Sequence, residues 1–127
     1  MTAALLDHTA LLALGSGHQA LSGFVVDAAA GRIAVQVPAL CLAAAQAQRT
    51  GVAEHVGALP GLDVEPLDFA ATIAVGRFIS LGHDWRIAHA VHASRPTALY
   101  TRGRVVVSVQ PELYAGTGVD AVDPGVV

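Results

Sequence analysis

The chain opens on a short apolar run, Ala3 to Leu6, followed by Asp7, His8 and Thr9 and then by apolar residues at helical spacing. The run predicts a buried strand. Asp7 stands where a helix N-cap belongs, and Leu11, Leu12 and Leu14 form one apolar face behind it. Gly15, Ser16 and Gly17 end that helix, and a second is predicted from His18 to Ala30, stopped by Gly31. The alternating stretch IAVQVP predicts another strand. Pro38 then opens a helix, PALCLAAAQAQR, that runs out at Gly51, and one or two further turns fit 52–59 before Pro60 and Gly61.

LDVEPL reads as a strand. Asp68 caps the most regular helix of the chain, DFAATIAVGRFISLG, with Phe69, Ile73, Phe78 and Leu81 expected to face inward. HDWRIAHAVHAS is the next helix, opened by Asp84 and stopped before Pro96. TALY is expected as a strand ending at Thr101, and VVVSV as a further strand after a turn at Gly103. The segment 112–127, punctuated by Gly and Asp-Pro, is expected to be a partly loose tail on a single domain spanning 1–127.

Strands separated by helices imply an α/β fold with a mainly parallel sheet of four to five strands and helices on its faces. Ligands of such sheets gather at the carboxyl ends of the strands. On this reading those ends carry Asp7, Asp84, Thr101, Arg102 and Arg104.

Composition narrows the function classes. Of 127 residues, 54% are hydrophobic but only 5% aromatic, so the core is built from small aliphatic side chains and few rings are left on which bases could stack. All seven basic residues are arginine; against ten acids the net charge is −3, which argues against wide, non-specific binding to duplex DNA. A small local basic patch of Arg86, Arg102 and Arg104 is compatible with that balance. Cys41 stands alone in an apolar run and reads as a small buried hydrophobe in a reducing, cytoplasmic setting. The first basic residue is Arg32 and the apolar runs are interrupted, so neither a signal peptide nor a membrane span is expected.

Four segments in order resemble the PIN domain, the nuclease fold of VapC-like toxins from bacterial toxin–antitoxin pairs. DHTALLAL resembles the opening motif of an acid, a variable residue and Ser/Thr before a leucine-rich helix. VPALCLAAAQ resembles the segment that carries a glutamate, LGHDWRIAHAVHAS the helix opened by an aspartate, and ALYTRGR the strand ending in Thr that delivers a fourth acid. The resemblance covers nearly the whole chain and implies a three-layer α/β fold, a homodimer and a Mg²⁺- or Mn²⁺-dependent ribonuclease site.

Asp7 matches the first acid and Asp84 the third. Ala44 or Ala45 stands where the glutamate belongs, and Gly103 where the fourth acid belongs. Such nucleases cluster carboxylates around a divalent cation that polarises the phosphate and generates the nucleophile. With two acids, Asp7 and Asp84 are expected to hold Mg²⁺ or Mn²⁺ weakly if at all. Thr9, Thr101, Arg102 and Arg104 are then the binding residues, an arginine being free to reach Asp84 or a phosphate.

The expected function is a degenerate PIN-like module with weak or no nuclease activity that binds nucleic acid, an anion or a protein partner. The alternative is a metal-dependent endoribonuclease toxin with an antitoxin-like partner. Simpler roles compete for the same residues. Asp7 and Asp84 both suit N-caps, worth about 1 kcal/mol each without any metal. Thr9 and Thr101 suit local backbone hydrogen bonds. His83, His89 and His92 lack the converging partners that zinc requires.

Overall fold

The computed structural model describes residues 3–125 and is an α/β fold. Four strands, β1 (Ala3–Leu6), β2 (Ala34–Pro38), β3 (Leu62–Glu65) and β4 (Val105–Val107), form one all-parallel sheet in the order β3-β2-β1-β4. Helices α1 (His8–Gly15) and α2 (Gln19–Ala29) connect β1 to β2. Helices α3 (Ala39–Gln48) and α4 (Val52–Gly57) lead to β3, and α5 (Phe69–Ser80) and α6 (Trp85–Ala93) lead to β4. A short 3₁₀ turn, Pro111–Tyr114, follows.

Strands buried on both faces need no alternation of polar residues, and β1 (AALL) and β4 (VVV) are accordingly apolar throughout. Successive side chains still point to opposite faces. Leu6, Val35, Val37 and Val107 pack with Leu11, Leu14 and Leu21 on one side. Leu5 and Val106 pack with Ile87, Ala90, Val91 and Tyr114 on the other. Helix α3 joins the two cores, giving Cys41 to the second and Ala45 to the first. Sheet and flanking helices thus make three layers, consistent with the arrangement that the resemblance implies. Among the described residues no single helix is long and apolar enough to cross a membrane.

Three expectations change. TALY is not a strand: Thr97 and Tyr100 close a turn on each other, the Tyr100 amide donating to Thr97 Oγ1 and the Thr97 amide to the Tyr100 carbonyl. With Pro96 ahead and Gly103 behind, residues 95–104 form a loop. Because β4 runs parallel to β1 from Val105 onward, that loop lies at the amino end of the sheet, away from Asp7.

Second, α5 turns Phe69, Ile73 and Leu81 to the outside and packs on α6 through Ala71 and Val75, with only Phe78 of the expected inner set partly buried. Small inner residues let two helices approach closely, and the larger side chains are left on the far side.

Third, the segment after β4 is tied down as far as Val122. Tyr114 is buried in the core, and the Val122 amide donates to the Val106 carbonyl while its own carbonyl accepts from Ser108. Residues 126–127 of the expected loose tail lie outside the described residues.

Candidate functional site

Asp7 leaves β1 in extended conformation and caps α1. Its Oδ1 accepts from the Thr9 hydroxyl at 2.6 Å and the Ala10 amide at 3.0 Å, and its Oδ2 accepts from the Tyr114 phenol at 2.8 Å. The residue is 0% exposed. Since the single Thr9 hydroxyl proton goes to Asp7, the 3.0 Å contact between Thr9 and Ser108 has Ser108 as donor. Ser108 in turn accepts from the Gln110 amide, and Thr9 also accepts from the Val109 amide. This chain of bonds locks the exit of β4 to the exit of β1. Burial, aided by the Asp7 carboxylate, pushes the Tyr114 phenol far above its ordinary range, so it is a permanent donor.

Asp84 caps α6 through the Arg86 amide at 2.9 Å. The Arg86 guanidinium also grips its carboxylate at two points, Nη2 to Oδ2 at 2.7 Å and Nε to Oδ1 at 3.1 Å. That hydrogen-bonded pair holds the Asp84 carboxyl below the usual carboxylate range and raises Arg86. The partner of Asp84 is therefore Arg86, not Arg102 or Arg104.

Neither acid lines the adjoining cleft of about 330 Å³, which is walled by His8, Thr9, Gln48, Arg49, Arg86 and Gln110 among others. Arg49 is anchored by Nη1, which donates to the Leu12 carbonyl and to Ser16 Oγ, both at 3.0 Å. The cleft wall thus carries two guanidinium groups and two neutral amides. His8 is only 2% exposed and its Nδ1 has no hydrogen-bond partner. Burial lowers its pKa against the pull of Asp7.

The remaining sequence candidates lie elsewhere. Thr101 and Arg102 are exposed in the loop at the amino end of the sheet. Arg104 is 7% exposed and spends its charge inside the protein. It donates to both Glu65 oxygens at 3.0 and 3.2 Å, to Gln36 Oε1 at 3.2 Å and to the Ala93 carbonyl, with the Tyr100 ring 4.5 Å from its guanidinium carbon. An arginine crossing the sheet face needs such acceptors to be buried at all. The expected patch of Arg86, Arg102 and Arg104 accordingly does not form.

Gly103 has φ +75° and stands against the Ser94 carbonyl, where a Cβ would collide with backbone. No aspartate fits there. Ala44 and Ala45 are both buried in helix packing. His83 stacks on Phe78, His89 Nδ1 accepts from the Leu40 amide, and among the described residues no three His, Cys, Asp or Glu side chains converge as a metal site would require. Cys41 donates to the Arg86 carbonyl, and burial pushes its thiol up.

Asp7 and Asp84 as arranged do not fit a divalent cation. One has both oxygens bonded away from solvent, and the other is gripped by a guanidinium; hydrated Mg²⁺ needs open carboxylate oxygens.

Sequence reading missed His8, Gln48, Arg49, Ser108, Gln110 and Tyr114. One signal was available: Ser108 in VVVSV is a hydroxyl directly after three valines, the feature assigned instead to Thr101. The fold and this cleft define an α/β protein with a polar, arginine-bearing pocket at the carboxyl edge of a parallel sheet. Set beside models of known protein families the chain matches none, and comparison with curated proteins gives no match.

Proposed function

We propose that the chain is a PIN-like module that binds phosphate groups of single-stranded RNA without cleaving them, acting in the cytoplasm. The observation that carries the reading is the state of the two acids. Asp7 is consumed by Thr9, Ala10 and Tyr114, and Asp84 by Arg86, while Arg49 and Arg86 line the cleft.

A nuclease of this kind presents carboxylates to a cation, and the phosphate comes to the metal. Here the charges facing the cleft are guanidinium groups, which bind phosphate directly and often through two hydrogen bonds. The missing fourth acid is better sought two residues after Ser108 than after Thr101. That position is Gln110, which lines the cleft as a neutral amide. Gln48 and Gln110 offer donors and acceptors that could read a base edge beside the phosphate. A net charge of −3 keeps the affinity local to this cleft.

Fluorescence anisotropy with a labelled single-stranded RNA of about a dozen nucleotides tests the reading, with cleavage followed on a gel in Mg²⁺ and in Mn²⁺. Binding is expected to weaken with salt at a slope for about one or two phosphates, roughly −0.7 each. It should be indifferent to Mg²⁺ and fall about tenfold in Arg49→Gln, with the RNA intact. Metal-dependent cleavage lost in Asp84→Ala would overturn the reading in favour of the endoribonuclease.

A further inference from the structure

The cleft is elongated, and its two arginines sit at opposite ends of it. One face of α1 makes its floor, where His8, Thr9, Leu12, Ala13 and Ser16 follow the helical repeat as a single stripe. Arg86 stands at the amino end, near enough to His8 for its charge to bear on the imidazole. Arg49 lies at the carboxyl end, its Nη1 held by the Leu12 carbonyl and by Ser16 Oγ. From His8 to the middle of that anchor the helix rises about 9 Å.

One phosphate cannot serve both ends. A guanidinium binds a phosphate through neighbouring oxygens at hydrogen-bond distance, so two guanidinium groups set this far apart call for two phosphates. At about 330 Å³ the cleft lies near the small end of ligand cavities, which run from about 300 to 1,000 Å³, and it has room for one nucleotide. No Phe, Tyr or Trp lines it, so stacking contributes little and recognition falls to the phosphates.

The two ends differ in strength. Arg49 bonds only neutral acceptors through Nη1, and among the described residues no carboxylate pairs with it. Its charge and its remaining N–H groups are left for a ligand. Arg86 already gives Nε and Nη2 to Asp84, which leaves Nη1 and a partly neutralised charge.

We infer that the cleft is a subsite for a single nucleotide bracketed by two phosphates, a phosphate–ribose–phosphate unit with one phosphate on Arg86 and the other on Arg49. This rests on the RNA-binding reading above and adds to it the length of backbone that the cleft takes. Arg49 is the stronger end. Charge alone does not satisfy the site, because two phosphates joined directly to each other reach only one guanidinium.

Isothermal titration calorimetry on the intact chain tests the inference with four probes: adenosine 3′,5′-bisphosphate, adenosine 5′-monophosphate, adenosine 3′-monophosphate and inorganic pyrophosphate. Once one phosphate is held the second binds intramolecularly, so the bisphosphate should bind about tenfold tighter than either monophosphate. Pyrophosphate should do no better than the monophosphates. Arg49→Gln and Arg86→Gln should each bring the bisphosphate down to the level of a monophosphate, with the larger loss in Arg49→Gln and with unchanged circular dichroism. A bisphosphate no tighter than the monophosphates would overturn the inference, as would pyrophosphate matching the bisphosphate. Either result, with the labelled RNA still binding, would leave the RNA reading standing. The expected ligand series in a chain that does not bind the RNA would support the subsite and make a free nucleotide its occupant, overturning the RNA reading alone.

Discussion

Asp7 and Asp84 look alike in sequence, each an aspartate opening a helix, yet the protein treats them as opposites. Asp7 is sealed in the core, holds three donors, two from α1 and one from the segment after β4, and so ties β1, α1 and that segment together. Asp84 sits at the rim, with both of its partners on the next residue but one. A buried carboxylate survives only when its oxygens are fully bonded, so Asp7 is a structural hub. A half-exposed carboxylate bridged by arginine gains little stability from the pair, so Asp84 mainly tempers the charge of the cleft. Matching a residue to a motif reveals its position, whereas its free oxygens decide its chemistry.

The sharpest way to break this contrast is to delete each acid. Asp7→Ala removes a cap and leaves the buried Tyr114 hydroxyl and the Thr9 hydroxyl without their acceptor. The expected cost is about 2–4 kcal/mol in urea denaturation, against about 1 kcal/mol for Asp84→Ala. Equal costs for the two would show that Asp7 is not the hub described here.

Tyr114→Phe sharpens the comparison from the partner's side. It keeps the ring packed against Leu5 and Val106 but strips one donor from Asp7 Oδ2. A loss of about 1–2 kcal/mol is expected. It should not be additive with Asp7→Ala, because both mutations remove one hydrogen bond. A double mutant whose cost equals the sum of the two singles would mean that the 2.8 Å contact carries no energy.

A smaller effect separates the acids from the histidines around them. Burial lowers the pKa of His8 and of His89 below the ordinary 6.5. The unfolded chain therefore binds more protons than the folded one just below that value, and stability falls as pH drops through it. Asp84, whose carboxyl is held low by Arg86, contributes in the other range. Its stabilisation is present above the unfolded carboxylate pKa near 4 and is lost only as pH falls beneath it. Thermal melting should thus show a lower midpoint at pH 5.5 than at pH 7.5. The drop should shrink in His89→Gln, whose amide oxygen can still accept from Leu40. A drop of full size in His89→Gln would exclude the imidazole as its source.

Much of the fold was legible because its signals are local. The apolar runs of β1 and β2, the caps at Asp7, Asp68 and Asp84, and the stops at Gly15, Gly31 and Pro96 act over a few residues. Their order alone implies a parallel sheet covered by helices. The site was less legible. Thr101 and Ser108 both follow β-branched or aliphatic stretches, and only the pairing of Val105 with Ala4 decides which of them reaches the carboxyl edge.

By itself, then, the sequence determined the class of fold, the identity of the helix-opening acids and the modest net charge. Each follows from propensity, capping and composition within a short window of chain. Tertiary structure alone decided that Tyr114 would occupy Asp7 across 107 positions and that Arg104 would be spent on Glu65 across 39. It also turned Phe69 outward while Ala71 went in. A hydrogen-bond partner or a buried face is chosen by whichever segments the sheet order brings together, and that choice is not written in the spacing of neighbours.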